Sequence, residues 1–235
     1  MHRTNAHWEA GAVPGPELLA RVGGLLQRMS QAGVLQGAEG LRPSSEGVRL
    51  RFAAGACRIT PGPFDASNDL PAGFTIVHAE KLDDVIEWTT RHTADAEDVE
   101  VDIRPVTEPW DIGLGERPPG VATRRYMVLR KSTPSMEAGE GPSAPQRSAL
   151  ASAIEEATRR GVHVATERMR PGRRGRRYKN SRDGVSVYDG AFAETKELIG
   201  GYVIVSGVSL DEADSWAREY IRAVDADDVD LRELE

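Results

Sequence analysis

The residues of this chain that could do chemistry are carboxylates, one histidine and a run of cations, and most fall in the second half. Asp189 leads the stretch "DGAFAETKELIGG". At a strand end it can cap the following turn through its side-chain oxygen, or stand at a pocket mouth as a general base or ligand anchor. Glu167 lies in a short strand-like segment. Facing an interior, it would be desolvated and its pKa raised, which suits acid or base work. His163, earlier on the same segment, could line that cavity and titrate near neutral pH, or sit half-buried with a local partner. Asp189, Glu167 and His163 are therefore the candidate catalytic residues. Arg170, Glu194, Lys196 and Glu39 are the candidate ligand contacts, and a structural Glu167–Arg170 ion pair is the plain alternative.

Other chemistries have no foothold. The chain lacks a P-loop, a dinucleotide-binding glycine fingerprint and a nucleophile elbow. Cys57 is the single cysteine, and His2, His7, His78 and His92 show no ligand spacing, so no disulfide, metal site or cofactor is expected. The formal charge is −7 over 235 residues, which disfavours a nucleic-acid-coating protein. One segment runs against that balance: "ERMRPGRRGRRYKNSRDG", with eight Lys or Arg between Arg168 and Arg182. It reads as a solvated hairpin or one neutralised by acidic surface such as "DADDVD", with binding of an anionic partner as the alternative. No apolar run approaches the ~20 residues of a membrane span, and the N-terminus has no signal-peptide core, so a cytoplasmic protein is expected.

The elements that must position these residues repeat. Sliding the chain by 128 residues aligns Gly33-Val34 with Gly161-Val162, Glu39 with Glu167, and Arg42-Pro43 with Arg170-Pro171. The same slide brings Gly62 and Phe64 onto Gly190 and Phe192, Trp88 onto Trp216, and Val101-Asp102 onto Val229-Asp230. A shared offset without gaps indicates duplication. The expected division is a first unit over 1–107, a linker over 108–123 within the Pro- and Gly-rich stretch Pro105–Arg124, and a second unit over 124–235. Pro61 stands where Asp189 does, so any chemistry needing that motif belongs to the second unit, and the first is degenerate there.

Each unit reads as helix, strand, hairpin, strand, helix, strand. Leu18, Leu19, Val22, Leu25, Leu26 and Met29 form one apolar helical stripe; Leu150, Ala153, Ile154 and Ala157 form a weaker one. Gly33 and Gly161 stop these helices, and Ser209 with Glu212 makes a capping box for a later one. Trp88 and Trp216 fall on helix faces and read as core. "RYMVLRK" supplies a strand ahead of the second unit's first helix, whereas the first unit has only the stub Met1–His7. The pattern is that of a ferredoxin-like α+β unit, in which the first strand is internal. Either the stub fills that place, or another segment pairs there, or the start lies upstream.

The stretch "YDGAFAETKELIGGYVIV" resembles the DGPF motif of the YCII-related family, usually DGPFAETKE followed by a Gly-Gly strand. "GVLQGAEGLRPSS" resembles that family's second-strand region and "SLDEADSWA" its second helix. The resemblance covers both halves, specifically in the second and partially in the first. It implies ferredoxin-like units that pair sheet to sheet as a dimeric α+β barrel, here formed within one chain. It also implies a small-molecule-binding barrel, as a cofactor-independent isomerase or lyase acting on a small organic acid or ring compound near the second motif. The alternative is a non-catalytic regulatory or partner-binding protein. The expected partner is a small-molecule ligand, without nucleic acid or membrane, and association into a homo-oligomer is left open.

Overall fold

The computed structural model describes residues 1–65, 70–93, 99–192 and 198–235. It is an α+β protein with two antiparallel six-stranded sheets and six helices. The strands are β1 (His2–Arg3), β2 (Leu35–Gly40), β3 (Val48–Ala53), β4 (Ala56–Pro61), β5 (Pro71–Ala79), β6 (Val99–Pro105), β7 (Arg124–Lys131), β8 (His163–Arg168), β9 (Arg176–Ser181), β10 (Gly184–Asp189), β11 (Ile199–Val205) and β12 (Asp228–Leu231). The helices are α1 (Ala6–Glu9), α2 (Pro16–Gln31), α3 (Leu82–Thr93), α4 (Pro134–Ala138), α5 (Ala144–Arg159) and α6 (Leu210–Ala223).

Local sequence sets most of these boundaries. Proline opens α2, and Ser143 with Gln146 and Ser209 with Glu212 form reciprocal caps at α5 and α6. Gly33 and Gly161 take positive φ after α2 and α5, as helix stops require. The elements recur at the spacing found in the sequence: β8, β9, β10 and α6 each begin 128 residues after β2, β3, β4 and α3.

The two halves are interleaved. The first sheet runs β10-β9-β12-β1-β11-β2 and the second β4-β3-β6-β7-β5-β8. Each therefore takes its first strand and second strand from one half and its remaining strands from the other. β7 fills the internal place that the first half lacks, pairing with β5 from Phe74↔Leu129 to Ala79↔Arg124 and with β6 from Val101↔Arg130 to Pro105↔Tyr126. The stub β1 does the same in the first sheet, between β11 and β12. Of the three alternatives left by the sequence, another segment pairs in the first half's gap, and the stub pairs in the other half's.

Three apolar clusters follow. One, with Leu50, Val77, Trp88, Val101, Val128 and Ala157, joins the second sheet to α3 and α5. Another, with Leu25, Met29, Tyr178, Tyr220 and Ile221, joins the first sheet to α2 and α6. Phe74, Ile76, Met127, Leu129, Ile199 and Tyr202 join sheet to sheet. Alternate residues of β7 separate cleanly, Tyr126 and Val128 toward helices, Met127 and Leu129 toward the opposite sheet. Single bridges, Leu41↔Val106 and Met169↔Leu234, connect the end of each edge strand β2 and β8 to the other sheet.

The segment 108–123 begins against the second sheet. Glu108 is buried at the start of a short 3-10 turn, Pro109–Ile112, and receives Arg125 Nε and Nη2 at 3.0 and 2.9 Å.

Candidate functional site

The motif around Asp189 performs structural work through its other residues. Asp189 ends β10, opposite Arg176, and its side chain is 86% exposed with one long bond, Arg176 Nε at 3.2 Å. Gly190 is the packed position: a methyl group there would overlap the carbonyl oxygen of Gly172. Phe192 lies beneath Arg177, with the guanidinium 4.7 Å from its ring centre. Arg177 in turn donates Nε and Nη2 to buried Asp230 at 2.7 and 3.0 Å. The first half has the same set: Gly62 against the Ser44 carbonyl, Phe64 4.4 Å from Arg49, and Arg49 forked onto Asp102 at 2.7 and 2.9 Å. Glycine, aromatic ring and arginine recur in both halves; the aspartate does not.

Glu167 sits on β8 opposite Phe74 and lines a cleft of about 960 Å³ together with Tyr202 and Asp189. Among the described residues its carboxylate has no hydrogen bond or ion pair. The alternative Glu167–Arg170 pair does not form, because Arg170 turns to Glu233 at 3.1 Å. Glu39, the matched residue on β2, stands opposite Tyr202 and is ion-paired to Arg125. Burial raises the Glu39 pKa despite Arg125. Burial likewise pushes Glu108 up, but the Arg125 bonds outweigh it and leave Glu108 below the usual range. Burial, then the Glu39 charge, pushes the Tyr202 phenol up. Tyr202 and Phe74 stack with centroids 4.7 Å apart, so the two matched glutamates flank one aromatic pair between the sheets.

His163 begins β8, four residues before Glu167, roughly 13 Å away at strand rise. Its Nε2 meets Thr166 Oγ1 at 3.0 Å, and Thr166 donates to Thr75 Oγ1 at 3.2 Å. It does not line the cleft. His163 thus has a local partner, and the three candidate catalytic residues do not converge on one point. Glu194 and Lys196 lie outside the described residues.

The basic hairpin is matched by acids near the C-terminus. Arg168 pairs with Glu235 at 3.0 Å, Arg174 with Glu233 at 2.9 Å, and Lys179 with Asp228 at 3.4 Å. With Arg177–Asp230, two of these acids come from "DADDVD" itself.

A second hollow, about 500 Å³, lies between the second sheet and helices α3, α4 and α5. Its walls include Thr75, Trp88, Thr89, Val101, Val128, Arg130, Leu150 and Ala153. A volume of this size suits a small organic molecule. Sequence reasoning passed over it, reading Trp88 as core and Arg130 as part of a strand. The available signal was the mismatch across the 128-residue offset, where Thr89 replaces Ala217 and Arg130 replaces His2.

Among the described residues no helix is long and apolar enough to cross a membrane, and no group of three His, Cys, Asp or Glu is placed to hold a metal. Fold and site thus define an α+β protein with a sheet-and-helix cavity. Residues 125–228 match the model of the YCII-related domain. That segment runs from β7 to the start of β12, so its strands contribute to both sheets. Neither the curated proteins nor the solved structures gave a match.

Proposed function

We propose that this chain binds a small organic molecule in the cavity between its second sheet and α3, α4 and α5. The enclosing scaffold, on this reading, is a duplicated ferredoxin-like unit closed as a dimeric α+β barrel within one chain. The 128-residue spacing of the elements, the strand order β12-β1-β11-β2, and the two bridges at the sheet edges support the scaffold. The single observation that carries the function is the hollow itself, about 500 Å³ between the second sheet and three helices. Thermal denaturation with a metabolite panel tests it, since a ligand of the native state raises Tm. Ala153 is buried in the cavity wall, so Ala153→Phe fills the space. A ligand should raise Tm in the parent and lose its effect in Ala153→Phe; equal shifts in a folded Ala153→Phe would place the ligand elsewhere.

A second reading is an isomerase or lyase working in the 960 Å³ cleft, supported by the unpaired Glu167 carboxylate that lines it with Asp189. Glu167→Gln should then abolish turnover of whatever substrate binds there, with Tm unchanged. If ligand binding persists with no turnover by the parent, the protein is a binding or regulatory one. Nucleic acid is outside the partners we propose, because the basic hairpin is paired to acids of the same chain.

A further inference from the structure

The first sheet is cut short where the second is complete. In the second, β7 sets Val128, Met127 and Tyr126 against Thr75, Ile76 and Val77 of β5, which are 6%, 1% and 4% exposed. In the first, β1 pairs with β11 only at Ile199 and Gly201 and with β12 only at Val229, and Met1 exchanges backbone bonds with Asp230 at 2.8 Å. Over residues 202–205 and Leu231, no described strand lies between β11 and β12. Val203, Ile204 and Val205, the matches of Thr75, Ile76 and Val77, are only half-buried. Leu231 is half-buried too, whereas its match Ile103 is fully buried. These residues line the 960 Å³ cleft, which is therefore a slot with the outline of a strand. Facing strand edges of this kind present unpaired N–H and C=O groups to an incoming chain.

A second observation points to the same slot. Glu39 and Glu167 hold matched places, and β7 brings Arg125 onto Glu39. Glu167 lines the slot, and its carboxylate has no hydrogen bond or ion pair among the described residues. The arginines near it are engaged within the chain: Arg174 with Glu233 at 2.9 Å, Arg176 with Asp214 at 3.3 Å, and Arg232 with the Arg170 carbonyl at 2.6 Å. The walls alternate as a strand requires. Val203 and Val205 face the helices beside Trp216, and Ile204 faces the opposite sheet beside Phe74 and Met169.

We infer that this slot receives an extended peptide of another polypeptide, added as a strand antiparallel to β11 and β12, with a basic side chain on Glu167. The order it fits is basic, aromatic, apolar, apolar, that of Arg125, Tyr126, Met127 and Val128 in β7, because the slot repeats the surroundings of β7 at the 128-residue offset. Main-chain bonds to the two strand edges supply affinity, and the alternating walls supply selection. The basic residue adds a charge-assisted bond to the carboxylate. The inference stands apart from the small-molecule cavity under α3, α4 and α5, and it gives the cleft a peptide instead of a small substrate.

The probe is the peptide acetyl-Arg-Arg-Tyr-Met-Val-amide, the sequence of residues 124–128. One equivalent should bind by calorimetry, raise Tm, and slow amide hydrogen exchange at residues 203–206 and 231–234. Glutamate in place of the second arginine should weaken binding roughly tenfold. Proline in place of methionine, which removes a main-chain donor, should do the same. Glu167→Gln should weaken the arginine peptide severalfold and erase most of its advantage over the glutamate peptide. Ala153→Phe, which fills the other cavity, should leave peptide binding unchanged, so the two proposals fail separately. The same five residues fused ahead of Met1 should occupy the slot, raise Tm and exclude the free peptide. Equal binding of the arginine and glutamate peptides, or protection outside the slot, overturns the assignment. So does a parent protein that binds no peptide at about 1 mM, whether or not the fused strand raises Tm.

Discussion

The positions that hold the structure together are not those that attract attention as chemistry. Asp189 is conspicuous in sequence, yet its exposed pair with Arg176 belongs to a class worth about 0–1 kcal/mol. Asp189→Asn should shift the urea midpoint by no more than that. Gly190→Ala must push a methyl into the Gly172 carbonyl and should cost about 1–3 kcal/mol. Arg177→Met should cost about 3 kcal/mol, because it strips the forked partner from a buried carboxylate and leaves Asp230 to Arg3 at 2.6 Å. Equilibrium denaturation of the three variants checks the order; an Asp189→Asn protein as unstable as Arg177→Met would make the aspartate, and not the arginine, the structural residue. Legibility followed the same division. Gly190 and Phe192 were visible as matched residues in both halves, but their partners Gly172 and Arg177 lie far enough along the chain that only folding brings them together.

At the scale of elements, each exchanged strand is tied to its host sheet by a buried cation. Arg3 of β1 meets Asp230 at 2.6 Å; Lys131 of β7 meets Glu100 at 2.7 Å and Asp102 at 3.5 Å. β1 also brings His2 to a half-buried place against Tyr220 Oη, where burial lowers its pKa to about 3 from an ordinary 6.5. The unfolded chain therefore takes up a proton below pH 6.5 that the folded chain refuses until about pH 3. Stability contributed by neutral His2 is complete above about pH 6.5 and declines as pH falls through that window. Between about pH 7 and about pH 4.5 the loss should be roughly 2–3 kcal/mol. His2→Phe should flatten that part of the pH profile in urea titrations, and an unchanged slope would show that His2 is already accessible to protons. Helix and strand identities were readable from periodicity and capping, because those signals act within a few residues. Which sheet a strand joins was not, because β7 satisfies the pairing edges of β5 and β6 through backbone groups that every strand shares.

For the whole molecule, interleaving makes the halves interdependent. A fragment of residues 1–107 would leave β5 and β6 facing an empty place, and 124–235 would leave β11 and β12 without β1. Expressed separately, neither should unfold cooperatively; mixed or co-expressed, they should associate and recover a single transition by calorimetry. Two independently stable fragments would contradict the exchange of strands. By itself the sequence determined the 128-residue periodicity, the order of elements and the caps, since these depend on residue type and local spacing. It also pointed to two of the acids that face the basic hairpin, Asp228 and Asp230, although not to Glu233 or Glu235. Tertiary structure alone decided that the halves share their sheets, that Glu39 is held by Arg125 while Glu167 stays unpaired, and that Trp88, Thr89 and Arg130 surround one hollow. Those outcomes depend on which distant surfaces meet and on what fails to fill the space between them, and neither leaves a local trace in the chain.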